Sequence, residues 1–148
     1  MIQYAPTRIR PKRSPQAQRE VRQDTPLRKA RTCYGHLAGV AGVALMEELL
    51  GREWLEEEPV PVSGNRVRYA LTTKGRKAME ELGVEVSTAA KSTGNFAFGC
   101  LDWTEPGLHL GGFLGRAITA CLSERGFVGR AEGKREVTLD GSPRFWLT

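Results

Sequence analysis

The chain has 148 residues and a mass of 16.3 kDa, enough for one domain or two small ones, which excludes a large enzyme barrel. Hydrophobic residues at 40% and charged residues at 26% are typical of an ordinary globular chain. The net charge of +5 and the pI near 9.4 point towards nucleic acid or an anionic surface, but only if the basic residues are spread over the whole chain.

The basic excess lies in the N-terminal segment. Residues 1–32 carry nine Lys and Arg against two acidic residues, a net charge of +7, whereas the other 116 residues carry 13 against 15, a net charge of −2. Several prolines and the lack of an apolar period predict an extended or disordered basic tail over residues 1–26, with a short helix after Pro15.

Two further features limit the location of the protein. The sequence has no apolar run of the roughly 20 residues that cross a bilayer and no signal-peptide core, so we expect a cytoplasmic protein without a membrane partner. The three cysteines, Cys33, Cys100 and Cys121, are widely spaced and odd in number, which favours reduced thiols over a disulfide framework.

The apolar spacing from Leu27 to Leu50 predicts one long helix or two abutting helices. Alternation over residues 60–71 predicts a strand pair around the turn residues 63–65. Thr72 or Thr73 is placed to cap a helix that ends at Gly83. Helix, hairpin and helix in this order indicate a winged-helix-like unit.

The same pattern returns later in the chain. Residues 36–55 align without gaps to residues 109–128 at an offset of 73, and seven of the 20 positions are identical. We infer an internal duplication of a helix-plus-hairpin unit. The second copy lacks the helix-forming end of the first, so we expect residues 145–147 to form an apolar strand or tail.

The predicted fold class is therefore α+β, with two winged-helix-like repeats packed pseudo-symmetrically behind an extended basic tail. The predicted segments are a tail or linker over 1–26, a first repeat over 27–86, a connector over 87–99 and a second repeat over 100–148.

Paired glycines recur in both copies, as Gly39 with Gly42 and as Gly112 with Gly115. Glycine inside a helix costs about 1 kcal/mol relative to alanine unless a close contact compensates for it. We therefore predict that the two helices of the repeats approach each other closely at these glycines.

One cluster of residues has metal-ligand chemistry. Cys33 precedes His36 by three residues, a spacing that could form one edge of a metal site, and His109 is the counterpart of His36. Because the histidine is repeated and Cys33 aligns with Pro106, we interpret these residues as structural and predict no cofactor. The alternative is a metal or haem sensor site drawn from the following residues: Cys33, His36, Cys100, His109 and Cys121.

Catalytic motifs are missing from the sequence. It contains no Gly-x-Ser-x-Gly, no phosphate-binding loop and no dinucleotide fingerprint. Asp102 and Glu105 flank Trp103, but capping of the next helix by Asp102 or Thr104 is the simpler interpretation. We predict that the protein is not an enzyme.

Several segments resemble the C-terminal region of ArsR-like bacterial winged-helix transcriptional regulators. The segments are Arg31-Thr-Cys-Tyr-Gly-His-Leu-Ala-Gly39, Tyr69-Ala-Leu-Thr72, Glu81-Leu-Gly-Val84 and Cys100-Leu-Asp-Trp-Thr-Glu105 followed by His109-Leu110. Gly35 replaces an acidic residue of the family pattern. The resemblance implies a regulator whose N-terminal DNA-binding helix-turn-helix domain is absent from this chain.

Two functions follow as hypotheses. The first is an effector-sensing or dimerisation region of a regulator that forms a homodimer, responds to a small-molecule effector and binds DNA through a missing or separate helix-turn-helix domain. The alternative is a stand-alone nucleic-acid-binding protein. Its contacts would come from the tail and one wing: Arg8, Arg10, Lys12, Arg13, Arg66 and Arg68.

Overall fold

A computed structural model of the chain describes residues 13–33, 35–58, 67–86, 96–130 and 133–148. Two N-terminal helices come first, α1 (Pro15–Gln23) and α2 (Pro26–Lys29). A first series follows: β1 (Arg31–Cys33), β2 (His36–Ala38), α3 (Gly39–Gly51), β3 (Leu55–Glu57), β4 (Tyr69–Leu71) and α4 (Thr73–Leu82). The second series has the same order: β5 (Phe98–Leu101), β6 (Leu108–Gly111), α5 (Gly112–Glu124), β7 (Val128–Arg130), β8 (Val137–Leu139) and α6 (Pro143–Trp146).

Consecutive strands pair throughout the described residues. They form four two-stranded antiparallel sheets, β1 with β2, β3 with β4, β5 with β6 and β7 with β8. The molecule is thus a mixed α and β structure of helices and small hairpins. In the ranges described, no helix is long and apolar enough to cross a membrane.

The N-terminal helices begin with side-chain caps. The Ser14 hydroxyl accepts a hydrogen bond from the backbone N–H of Ala17, and the Thr25 hydroxyl accepts one from Arg28. A proline follows each cap, where its missing N–H costs nothing. The short helix after Pro15 is confirmed, so the extended form predicted for the tail over residues 1–26 is wrong for Pro15–Gln23, and residues 1–12 lie outside the described part.

The helix predicted from Leu27 to Leu50 is wrong over its first half. Strands β1 and β2 occupy Arg31–Cys33 and His36–Ala38, and the long helix α3 begins only at Gly39. Gly35 has a φ of +90° and Gly39 a φ of +78°, conformations in which a right-handed helix cannot continue. Small apolar residues around these glycines imitate a helical period, but the backbone turns at each glycine.

Helices α3 and α5 each have 13 residues and begin 73 positions apart. Each starts at a glycine in the left-handed region, Gly39 with φ +78° and Gly112 with φ +84°. The first glycine of each predicted pair therefore lies at the start of its helix and not inside it. Its role is to turn the chain from strand into helix.

The second glycine of each pair makes the close contacts. A Cβ atom on Gly42 would lie 2.5 Å from the carbonyl oxygen of Leu37 in the preceding strand and 3.3 Å from the Cβ of His109. A Cβ atom on Gly115 would lie 2.3 Å from the carbonyl oxygen of Leu110 and 3.2 Å from the Cβ of His36. The predicted close approach exists, but its partners are wrong, because each helix packs against a histidine-bearing strand and not against the other helix.

The second half of the first series agrees better with the sequence. The Thr72 hydroxyl caps α4 by accepting from the N–H of Gly75, and Gly83 ends the helix with a φ of +95°, which confirms both predictions. The strand paired with β4 begins at Leu55, earlier than the predicted start at residue 60, and residues 59–66 lie outside the described part.

One hydrophobic core contains residues of both series. Leu49 from α3, Tyr69 from β4 and Leu114 from α5 are all at most 2% exposed. Trp146 is fully buried in the same core, and its indole Nε1 donates to the carbonyl of Asp140 at 2.6 Å. Trp146 belongs to a short helix, so the strand form predicted for residues 145–147 is wrong, whereas the burial of Trp146 and Leu147 agrees with their predicted packing.

We predict that Gly42→Ala lowers the free energy of unfolding by about 1–3 kcal/mol, because its Cβ would meet the Leu37 carbonyl. The matched control is Gly51→Ala in the same helix, where the added Cβ meets nothing within 4 Å. Urea denaturation of both variants measures the difference. Equal stability of the two variants would show that the helix does not pack this closely on its strand.

Candidate metal centre

Each of two hairpins carries one cysteine and one histidine at facing positions. Cys33 on β1 is the cross-strand partner of His36 on β2, and Cys100 on β5 is the partner of His109 on β6. Residues directly opposite on antiparallel strands project their side chains from the same face of the sheet. Each hairpin therefore presents a thiol and an imidazole side by side.

The two hairpins bring these four side chains together. One ligand atom from each of Cys33, His36, Cys100 and His109 lies within 4.8 Å of the others. The Nε2 atoms of the two histidines are 3.1 Å apart and their rings are 4.9 Å apart. His36 and His109 are buried, whereas both cysteines are partly exposed, so the site has a buried imidazole side and an accessible thiol side.

A buried carboxylate orients His109. Asp102 is 1% exposed, and its Oδ1 accepts from Nδ1 of His109 at 2.9 Å and from the backbone N–H of Gly39 at 2.8 Å. Its Oδ2 accepts from the N–H groups of Thr104 and Glu105. Because an ionised carboxylate only accepts, the proton of this contact sits on Nδ1 and the Nε2 atom of His109 faces the other ligands.

The charge of Asp102 is balanced by Arg31. The guanidinium of Arg31 donates to Oδ2 at 3.0 Å, and the two side chains are 1% and 0% exposed. Arg31 also donates to the carbonyl of Leu27 and to the hydroxyl of Thr104, and it stacks over the ring of Trp103. The buried ion pair is therefore fully hydrogen-bonded, which is the condition under which such a pair is tolerated.

The proton affinities of these groups follow from their neighbours. Burial of Asp102 opposes its charge, but His109, Arg31 and the N–H of Gly39 prevail and hold its pKa well below the usual range. For His109, burial lowers the pKa, but the Asp102 carboxylate and the thiolate form of Cys33 outweigh it, so the pKa is raised. Contacts with Cys100, then His109 and His36, lower the pKa of the Cys33 thiol far below its ordinary value.

The donor set has a defined inorganic chemistry. Two thiols and two imidazoles form the Cys₂His₂ combination that binds Zn²⁺ tetrahedrally. Zinc–nitrogen bonds of about 2.0–2.1 Å place the two nitrogens of a tetrahedron about 3.3 Å apart. The observed separation of 3.1 Å between the two Nε2 atoms is close to that value.

Four of the predicted metal-site residues thus meet in one place. Cys121 does not join them, since its thiol lies on α5 and donates to the carbonyl of Leu82, where burial raises its pKa. The sequence alignment of Cys33 with Pro106 does not match the structure. The hairpin of β5 and β6, which we call the second hairpin, has a longer loop than the hairpin of β1 and β2, which we call the first. Cys100 therefore holds the position in the second hairpin that Cys33 holds in the first.

Sequence reasoning missed the supporting residues. Asp102 and Thr104 do not cap the next helix, because α5 begins only at Gly112 and Asp102 is buried beside the site. The signal that was overlooked is the short spacing from Cys33 to His36 with Gly35 between them, which is typical of a tight hairpin as well as of a helix face.

Of the six residues predicted to contact nucleic acid, two lie in the described part of the chain. Arg8, Arg10, Lys12 and Arg66 lie outside the described residues. Arg13 donates to the carbonyl oxygen of Thr104 at 2.8 Å, and the backbone of Arg68 forms an isolated bridge with Phe98. Arg13 is therefore engaged with the second hairpin.

Comparison with known proteins gives one informative match. The chain is 28% identical over 134 residues to YdfF of Bacillus subtilis (strain 168), described as an uncharacterized HTH-type transcriptional regulator. The match covers 90% of this chain and 56% of that protein, so the chain spans little more than half of its relative's length. No protein-family model and no solved structure matches the chain. The similarity supports a relationship to transcriptional regulators.

We predict that Arg31→Met lowers the free energy of unfolding by about 3–5 kcal/mol, because the substitution leaves the Asp102 carboxylate buried without its cation. The matched control is Arg28→Met, which breaks the pairs with Glu105 and Asp24 where the arginine is 24% exposed, and a smaller loss of about 1 kcal/mol is expected there. Thermal or urea denaturation measures both. Similar losses for the two variants would contradict the central role of the buried pair.

Proposed function

We propose that this chain is the effector-sensing region of a bacterial transcriptional regulator and that its effector is a thiophilic divalent cation such as Zn²⁺. The ion would be held by Cys33, His36, Cys100 and His109. The observation that carries the proposal is the convergence of these four donors within 4.8 Å from two separate hairpins. The proposed homodimer would bind DNA through a helix-turn-helix domain outside this chain.

The composition of the site favours an ion over the other effectors considered. Thiolate and imidazole ligands select zinc and related metals, whereas carboxylate-rich sites select magnesium or calcium. Donors that lie within 4.8 Å of one another are spaced as ligands of one ion are. We therefore place the metal alternative ahead of a haem and ahead of a purely structural role for these residues.

The position of the site favours sensing. One pair of ligands comes from the first series and one pair from the second. A bound ion would therefore join two hairpins whose cysteines are 67 positions apart in the sequence. A ligand that binds the folded chain and not the unfolded chain stabilises the fold, and the stabilisation grows with the logarithm of the ligand concentration once that exceeds the dissociation constant. Ion concentration would thereby be translated into the strength of the contact between the two hairpins.

The basic segment supports the effector-sensing reading over a stand-alone nucleic-acid-binding protein. Arg13, Arg28 and Arg31 bind acceptors within the chain, namely the carbonyl of Thr104, Glu105 and Asp102. Side chains used in this way are not available to phosphates.

We also propose that the two series are winged-helix-like repeats with a pseudo-twofold relation, as the sequence predicts. Their shared order of elements and the equal lengths of α3 and α5 support this proposal. The reciprocal contacts of Gly42 with His109 and of Gly115 with His36 support it as well.

We predict that the purified chain binds one Zn²⁺ and that Co²⁺ in its place gives the visible absorption of a tetrahedral thiolate complex. Cys33→Ser should remove the thiolate absorption contributed by that ligand and weaken binding, because a hydroxyl is a poor zinc ligand. Elemental analysis, a competitive zinc titration and the cobalt spectrum measure these outcomes.

Cys121→Ser is the matched control, since its thiol is outside the cluster and should leave affinity and spectrum unchanged. Absence of a cobalt spectrum and of bound zinc in the folded chain would overturn the proposed function.

A further inference from the structure

Three arginines near the N-terminus contact the loop that lies between two of the proposed ligands. Residues 102–107 connect Cys100 on β5 to His109 on β6. Arg28 donates to both carboxylate oxygens of Glu105, at 2.9 and 3.1 Å. Arg31 reaches Asp102 and Thr104, and Arg13 donates to the Thr104 carbonyl. Three arginines from residues 13–31 therefore bind one short loop, which we call the ligand loop (residues 102–107).

Asp102 connects this docking to the ligand set. Its Oδ1 holds Nδ1 of His109 and the N–H of Gly39, while its Oδ2 holds Arg31 and the N–H groups of Thr104 and Glu105. One rigid, fully buried carboxylate thus touches a proposed ligand on one side and the arginine-binding loop on the other. A shift of His109 cannot occur without a change at one of these bonds.

We infer that the ligand loop transmits the occupancy of the metal centre to the N-terminal segment, with Asp102 as the positioning residue. This inference rests on the proposed function. A bound ion fixes the ring of His109 at its Nε2 atom. Because Nδ1 of the same ring is hydrogen-bonded to Asp102, the ion also fixes Asp102 and the ligand loop. Arg13, Arg28 and Arg31 bind to this loop. The N-terminal helices α1 and α2 are then clamped against the second hairpin.

The direction of the effect follows from linkage. If the ion favours the docked segment, then docking favours the ion by the same factor. Breaking the arginine contacts therefore weakens zinc binding even though no arginine is a ligand. A relative that carries a DNA-binding domain before this segment would receive the signal through α1.

The test is hydrogen–deuterium exchange of the full chain with and without Zn²⁺ alone. We expect zinc to slow amide exchange in peptides from residues 15–30, which contain none of the four ligands. Asp102→Asn should abolish this protection and weaken zinc affinity about 10–100-fold, the usual effect of losing a carboxylate behind a ligating histidine. The near-UV circular dichroism spectrum of the Asp102→Asn variant checks that the variant is folded.

Glu105→Gln provides the second variant, because it breaks the pair with Arg28 and leaves every contact of His109 in place. We expect it to keep the cobalt spectrum and to lose much of the zinc-dependent protection over residues 15–30. The matched control is Glu48→Gln, which breaks a partly exposed pair with Arg52 away from the site and should behave as the unmodified chain.

The outcomes separate the two proposals. Zinc binding with unchanged exchange over residues 15–30, or with equal protection in Glu105→Gln and Glu48→Gln, overturns the transmission inference and leaves the metal centre standing. A chain that binds neither zinc nor cobalt overturns both.

Discussion

The carboxylate of Asp102 is the interaction on which the rest of the site depends. Moving an ionised carboxylate out of water costs several kcal/mol unless its oxygens are fully hydrogen-bonded and its charge is matched. Arg31 supplies the charge, and the backbone N–H groups of Gly39, Thr104 and Glu105 supply the hydrogen bonds. These partners come from both series of elements, so the cost of burying the charge is met only when the first hairpin, helix α3 and the second hairpin are all in place.

The same network fixes the position of the two histidines. His109 is fixed through Nδ1, and His36 lies against it at 3.1 Å between the Nε2 atoms. On α5, the hydroxyl of Thr119 accepts from the N–H of Leu37, next to His36, at 3.0 Å. Asp102 orients the ring of His109, Thr119 holds the backbone next to His36, and among the described residues no buried side-chain nitrogen or oxygen lacks a hydrogen-bond partner.

The sequence predicted well those features that depend on local chemistry. The cap at Thr72, the stop at Gly83 and the helix after Pro15 follow from single residues whose preferences need no tertiary context. Helices α3 and α5 begin 73 positions apart, which is the offset of the repeat found in the sequence. The hairpins before these helices were missed, because Leu37, Ala38 and Ala41 fit a helical spacing and only the φ values of the glycines decide between helix and strand.

The site could be predicted only in part for a related reason. The four ligand residues were identified as candidates, but a gapless alignment set Cys33 against Pro106 and hid the equivalence of Cys33 and Cys100. The longer loop of the second hairpin shifts the cysteine relative to the histidine by six positions, and no residue type signals that insertion. Arg31 and Asp102 are adjacent only in space, so their pairing has no local pattern at all.

The absent side chains of Gly42 and Gly115 have a consequence for ion selectivity. A methyl group on Gly42 would press on the Cβ of His109, and one on Gly115 would press on the Cβ of His36. The two glycines therefore let each histidine lie close to a helix backbone, and a side chain at either position would change the space between the ligands of the proposed centre. Preference among ions of similar ligand chemistry but different size, such as zinc and cadmium, would be decided by helix backbone behind the ligands as much as by the ligands themselves.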